Sequence, residues 1–85
     1  MPVVIRDGSW RIWIYPRDHA PPHVHVRRPG GFVKIALPTL GSPAYVIEAQ
    51  RMPSRYVTQA VWLVEEHHEA LTLAWRAIHG LSEAH

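Results

Sequence analysis

His23-Val24-His25-Val26-Arg27-Arg28-Pro29-Gly30-Gly31-Phe32-Val33-Lys34-Ile35-Ala36-Leu37 sets two runs of strand-forming residues on either side of a Pro-Gly-Gly turn signal. The pattern predicts an antiparallel hairpin, with one strand from His23 to about Arg27 and the next from Phe32 to Leu37. Side chains alternate across a strand, so His23 and His25 lie on one face and Val24 and Val26 on the other. Upstream, Trp10-Arg11-Ile12-Trp13-Ile14-Tyr15 repeats this alternation, with Trp10, Ile12 and Ile14 opposite Arg11, Trp13 and Tyr15. Between them, Pro16, Pro21 and Pro22 forbid continued regular structure. Downstream, Ala44-Tyr45-Val46-Ile47-Glu48 predicts a shorter strand, put at a sheet edge by the prolines that flank it.

From Ser54 the apolar period changes from two to that of a helix. Ser54 is placed as the N-cap after Pro53, and no glycine or proline follows until Gly80, a natural residue to end a helix. Val57, Val61, Val64, Leu71, Trp75 and Ile78 form one stripe. Position 68 falls on the same stripe and is a histidine, so the helix bends there or sets His68 at the border of the core. Strands first and helix afterwards predict an α+β fold. The expectation is a single domain over residues 1–85: a three- to four-stranded, mainly antiparallel sheet followed by one long C-terminal helix packed on it.

The chain has no cysteine, which excludes a disulfide framework, thiolate metal sites and a cysteine nucleophile. Met1-Pro2-Val3-Val4-Ile5 is too short and too soon followed by Arg6 and Asp7 to be a signal peptide or membrane span, so a cytoplasmic location is expected. Residues 1–34 carry six basic side chains against two acidic ones, whereas residues from 35 onward carry three against five. An anionic partner such as RNA would favour the first half, although solubilising charges alone produce the same imbalance. No serine sits in a nucleophile elbow and no glycine-rich loop opens a helix, which argues against nucleotide-dependent chemistry.

The chemistry-bearing segment is Asp18-His19-Ala20-Pro21-Pro22-His23-Val24-His25. Two imidazoles two residues apart on a strand stand about 7 Å apart at their Cβ atoms and can converge on one ion. With Asp18 or His19 as a third ligand this is a divalent metal site, zinc being the default when no thiolate is present. A hydrogen-bonded network of the same side chains needs no ion at all. A third reading is metal-free acid–base chemistry on a phosphodiester, with His19 or His23 as base and Arg17 or Arg27 as the clamp on the phosphate. In that reading Arg17, Arg27, Arg28 and Lys34 bind nucleic acid, and Trp13 and Tyr15 stack on bases unless they serve sheet packing. As a non-enzymatic interaction protein, the chain would instead use Trp62, which lies off the helical stripe, to anchor a partner. His79 and His85, near the C-terminus, are read as solubilising or capping residues.

Tyr15-Pro16-Arg17-Asp18-His19-Ala20-Pro21-Pro22-His23-Val24-His25-Val26, followed by a hairpin and by Met52-Pro53, resembles the bacterial and archaeal domain-of-unknown-function family numbered 4160. The resemblance continues through His67, Leu71 and Trp75 and covers nearly the whole chain. One departure is Leu63, where the family often has an aromatic residue, with Trp62 displaced by one. The family carries no established activity. What the resemblance implies is that His67, rather than His68, joins the histidine site from the helix. It also implies a small cognate protein encoded nearby, in an arrangement like a toxin–antitoxin pair. Self-association is equally compatible with the sequence.

Overall fold

Val24, Val26, Val33 and Ile35 are completely buried, and so are Ile12 and Ile14 from the strand upstream. These alternating residues line one face of the sheet, as their period of two requires. The computed structural model describes residues 3–17 and 19–79. Five strands follow in order: β1 (Val3–Asp7), β2 (Trp10–Trp13), β3 (His23–Arg28), β4 (Gly31–Ala36) and β5 (Tyr45–Gln50). Each pairs antiparallel with the next, giving the spatial order β1-β2-β3-β4-β5. Two helices, α1 (Ser54–Glu66) and α2 (His68–His79), complete the fold.

The α+β class and the helical cover on one sheet face follow the expectation, but the sheet has five strands, not three or four. The additional strand is β1, whose apolar run is weighed in the sequence only as a signal peptide or membrane span. It is recruited by a two-residue turn in which Gly8 has φ 59°, a left-handed conformation that glycine adopts without a side-chain clash. As expected, β5 lies at an edge, and its residues are exposed throughout.

The single long helix is also corrected, because His67 separates α1 from α2 with φ −103° and ψ 16°. Hydrogen bonds still bridge the break: the His67 N–H donates to Leu63 at 3.1 Å and the Leu71 N–H donates to His67 at 3.0 Å. The stripe supplies the reason. An unbroken helix would carry polar His68 inward between Val64 and Leu71. With the break, Val64 and Leu71 are both fully buried while His68 is exposed. Each such burial is worth roughly 1.5–3 kcal/mol. Pro53, not Ser54, occupies the N-cap, and no side chain caps α1. Gly80, expected to end the helix, lies outside the described residues.

Gly31 opens β4 where the chain leaving β5 comes very close, and a Cβ there would overlap the Arg51 carbonyl. The neighbouring backbone would have to move. Gly31→Ala is therefore expected to destabilise the protein by about 2–3 kcal/mol in urea unfolding. Gly41→Ala, with nothing within 4 Å of the added carbon, should stay within about 0.5 kcal/mol of wild type.

Candidate functional site

The described helices pack mainly on the valine and isoleucine face, and the opposite face of the sheet is built from different chemistry. Cross-strand register aligns Arg6 with Arg11, Arg11 with Arg27, Arg27 with Phe32 and Phe32 with Gln50. A second row runs Trp13, His25, Lys34 and Glu48. Antiparallel partners share a face, so these nine side chains form one surface rich in cations and rings. The Arg27 guanidinium lies 5.7 Å from the Trp13 ring centre and 5.9 Å from that of Phe32. Cation–π attraction thereby holds the guanidinium down on the ring surface. The carboxylate in the rows, Glu48, is 3.8 Å from Lys34 and accepts a 2.8 Å hydrogen bond from Gln50. Positive charge is therefore concentrated over β1, β2 and β3.

At the other end of this face the proline loop returns to β3, and the Ala20–Pro21 peptide is cis. A cleft of about 280 Å³ is lined by Arg17, His19, Ala20, Pro21, His23, Lys34 and Ile47. Two imidazoles, a guanidinium and an ammonium from three separate parts of the sequence thus border one space. His23 is buried, and its Nδ1 donates to the Pro21 carbonyl at 2.8 Å. A carbonyl can only accept, which assigns the proton to Nδ1 and the ring lone pair to Nε2 in the neutral form. His19 and Arg17 are exposed at the rim. The His23 and His25 rings stand 5.2 Å apart, with Tyr15 4.5 Å beyond His25 and Trp75 of α2 5.6 Å beyond His23. His79 stacks on Trp75 at 3.7 Å and donates from Nδ1 to its carbonyl at 3.1 Å, so it packs and caps rather than merely solubilising.

The expected residues divide between several places. His19, His23, Arg17 and Lys34 meet at the cleft, and His25 and Arg27 lie on the same face. Asp18 lies outside the described residues. His67 does not join His25; it faces Asp7 at 3.8 Å, too long for a hydrogen bond, while the α2 side chain that reaches His23 is Trp75. Among the described residues no three of His, Asp and Glu are grouped to hold a metal ion. A metal reading therefore rests on His23 and His25 together with Asp18. Arg28 points away from the basic face, 4.1 Å over the Tyr56 ring and 5.0 Å over that of Trp10. The Arg55 hydrogen bond and charge, with the Arg28 charge, hold the Tyr56 hydroxyl below its ordinary 10.0. Arg6, Arg11 and Phe32 were missed in the sequence, although strand alternation already placed Arg11 beside Trp13 and Tyr15.

The family model described as "Domain of unknown function (DUF4160)" matches residues 9–76. The chain belongs to this family. The match runs from just before β2 into α2 and includes the cleft and both strands of the central hairpin; β1 lies outside it. No curated protein and no solved structure matches the chain. No described helix is long and apolar enough to cross a membrane.

Adjacent arginines thus have separate roles, which mutation can resolve. Arg28→Ala removes a guanidinium held between two rings and is expected to lower stability by about 1 kcal/mol. It should also return the Tyr56 ionisation toward the ordinary tyrosine value, read by ultraviolet or NMR titration. Arg27→Ala should leave the Tyr56 titration unchanged.

Proposed function

We propose that this protein binds single-stranded nucleic acid across the open sheet face. The observation that carries the reading is the cross-strand alignment of Arg6, Arg11, Arg27 and Lys34 with Trp13, His25 and Phe32 on the sheet face opposite the buried valines and isoleucines. Unpaired bases offer π-faces that stack on such rings, while the guanidinium and ammonium groups take the phosphates. A duplex hides its base faces inside the stack, so the platform favours single strands. Trp13→Ala should weaken binding of a ten-nucleotide single strand at least fivefold, the lower end of one lost stacking contact. Trp13→Phe should retain most of the affinity. Arg27→Ala should reduce the slope of log affinity against log salt by about 0.7, as one phosphate contact is lost. Fluorescence anisotropy measures both. Equal binding of single strand and duplex, or no effect of either substitution, would refute this assignment.

A second reading, cleavage of bound RNA, is favoured by one specific observation: His19, His23, Arg17 and Lys34 border the same cleft. His23 Nε2 takes the proton of a ribose 2′-hydroxyl, whose oxygen attacks the adjacent phosphorus. The bond to the 5′-oxygen breaks, and the His19 imidazolium protonates that leaving oxygen. The products are a 2′,3′-cyclic phosphate and a 5′-hydroxyl, while Arg17 and Lys34 balance the charge on the phosphorane. Such an activity suits the toxin-like member of a two-gene pair. His19→Ala and His23→Ala are each expected to slow cleavage by about 10²–10⁴-fold, and RNA lacking the 2′-hydroxyl should resist. A wild-type protein that leaves RNA intact under single-turnover conditions would sink the cleavage reading and leave the binding reading standing.

A further inference from the structure

The end of the sheet opposite the histidine cleft is formed by the two hairpin turns and by the chain leaving β5. Here the strand register brings Gly8-Ser9, Pro29-Gly30 and Gln50-Arg51 to one pole. Two clefts flank the Arg27-Arg28-Pro29 corner. One, of about 430 Å³, is lined by Phe32, Gly30, Gly31, Gln50 and Arg51 as well as the corner. The other, of about 490 Å³, is lined by Gly8, Ser9, Arg11 and Trp13 together with it. Neither lining contains a carboxylate. Each cleft pairs an aromatic wall with arginines, which is the combination a nucleotide needs for its base and its phosphate.

Arg51 makes the first cleft the more specific of the two. Its φ of 53° lies in the left-handed region, the one non-glycine residue so placed among those described. A long side chain in that conformation is uncommon and strained. The Arg51 carbonyl presses on Gly31 so closely that no Cβ fits there. The backbone thus holds Arg51 over the β3–β4 turn, on the same cleft as Arg27. Like charges so gathered repel one another, and a dianion relieves that repulsion more than a monoanion does. A phosphate monoester carries about −1.5 to −2 charges near pH 7, whereas an internal diester carries one.

We propose that the cleft between Arg27 and Arg51 seats the terminal phosphate of the bound strand, so that the protein recognises a phosphorylated end. The seat rests on the single-strand binding reading and adds to it a fixed point from which the strand crosses the sheet toward the histidine cleft. Either end of a strand can carry a monoester, and the experiment separates them.

Ten-nucleotide single strands ending in a 5′-phosphate, a 3′-phosphate or hydroxyls alone are compared by anisotropy on the wild-type chain and on Arg51→Gly. Glycine accepts the left-handed φ, so this substitution removes the guanidinium without straining the fold; a thermal melt verifies that. The expected result is at least tenfold tighter binding of one phosphorylated end than of hydroxyl ends, growing from pH 5 to pH 7 as the monoester takes its second charge. Arg51→Gly should abolish that preference while changing hydroxyl-end affinity by no more than about twofold. Equal affinities for all three strands on the wild-type chain would overturn the seat and leave the open-face reading intact. A preference that survives in Arg51→Gly would also overturn it. Failure of every strand to bind would overturn both.

Discussion

One-sided burial governs this molecule. Alternation along β2, β3 and β4 sends Ile12, Ile14, Val24, Val26, Val33 and Ile35 to a single face, and all six are fully buried. So much branched apolar surface must be buried against a second layer of secondary structure. The chain supplies one layer, α1 and α2, which contributes Ala60, Leu63, Val64, Leu71 and Trp75 to the same cluster. No second covering layer is found among the described elements, and on the opposite face Arg11, Trp13, His25, Phe32 and Lys34 are half-buried among one another. That face is not furnished with the small polar residues that would suffice for solubility. It carries arginines, lysine, histidines, Trp13 and Phe32 instead, and the functional reading begins from that choice.

The open face is graded from end to end. Near the hairpin turns it is arginine-rich, with Arg11, Arg27 and Arg51 bordering clefts that no carboxylate lines. Near the proline loop it is histidine-rich, with His19 and His23 at a cleft and His25 beside them. The grading follows from the hairpin itself, because β3 sends His23, His25 and Arg27 to this face in that order. A strand of nucleic acid held at the arginine pole has the imidazoles within the same surface. In the proposed reading, binding and acid–base chemistry are two uses of one strand's length.

The histidines, which looked like one cluster in the sequence, are separated by the tertiary structure. His67 is turned toward β1 by the break between the helices, and its Nε2 is buried with no hydrogen-bond partner among the described residues. His68 donates back to the Glu65 carbonyl at 3.0 Å on the surface. His79 is stacked on Trp75, and Trp75 in turn abuts His23. Helical side chains that touch the site therefore do so by aromatic packing, which fixes the position of His23 from behind.

Much was legible in the sequence wherever a period governed it. The central hairpin, the shared face of His23 and His25, the edge position of β5 and the buried stripe from Val64 to Trp75 all follow from alternation or helical spacing, which depend only on local geometry. Three features were decided by tertiary structure. Strand β1 is fixed by pairing with the edge of β2 through the Gly8-Ser9 turn, a partner that only the folded sheet provides. The helix breaks at His67 because burying Val64 and Leu71 together conflicts with burying His68, a conflict that exists only once a core is present. Arg27 and Arg28 are neighbours in sequence, yet one lies on the basic face and the other between Trp10 and Tyr56, since a strand sends consecutive side chains to opposite faces and only the packing of α1 shows which face is closed.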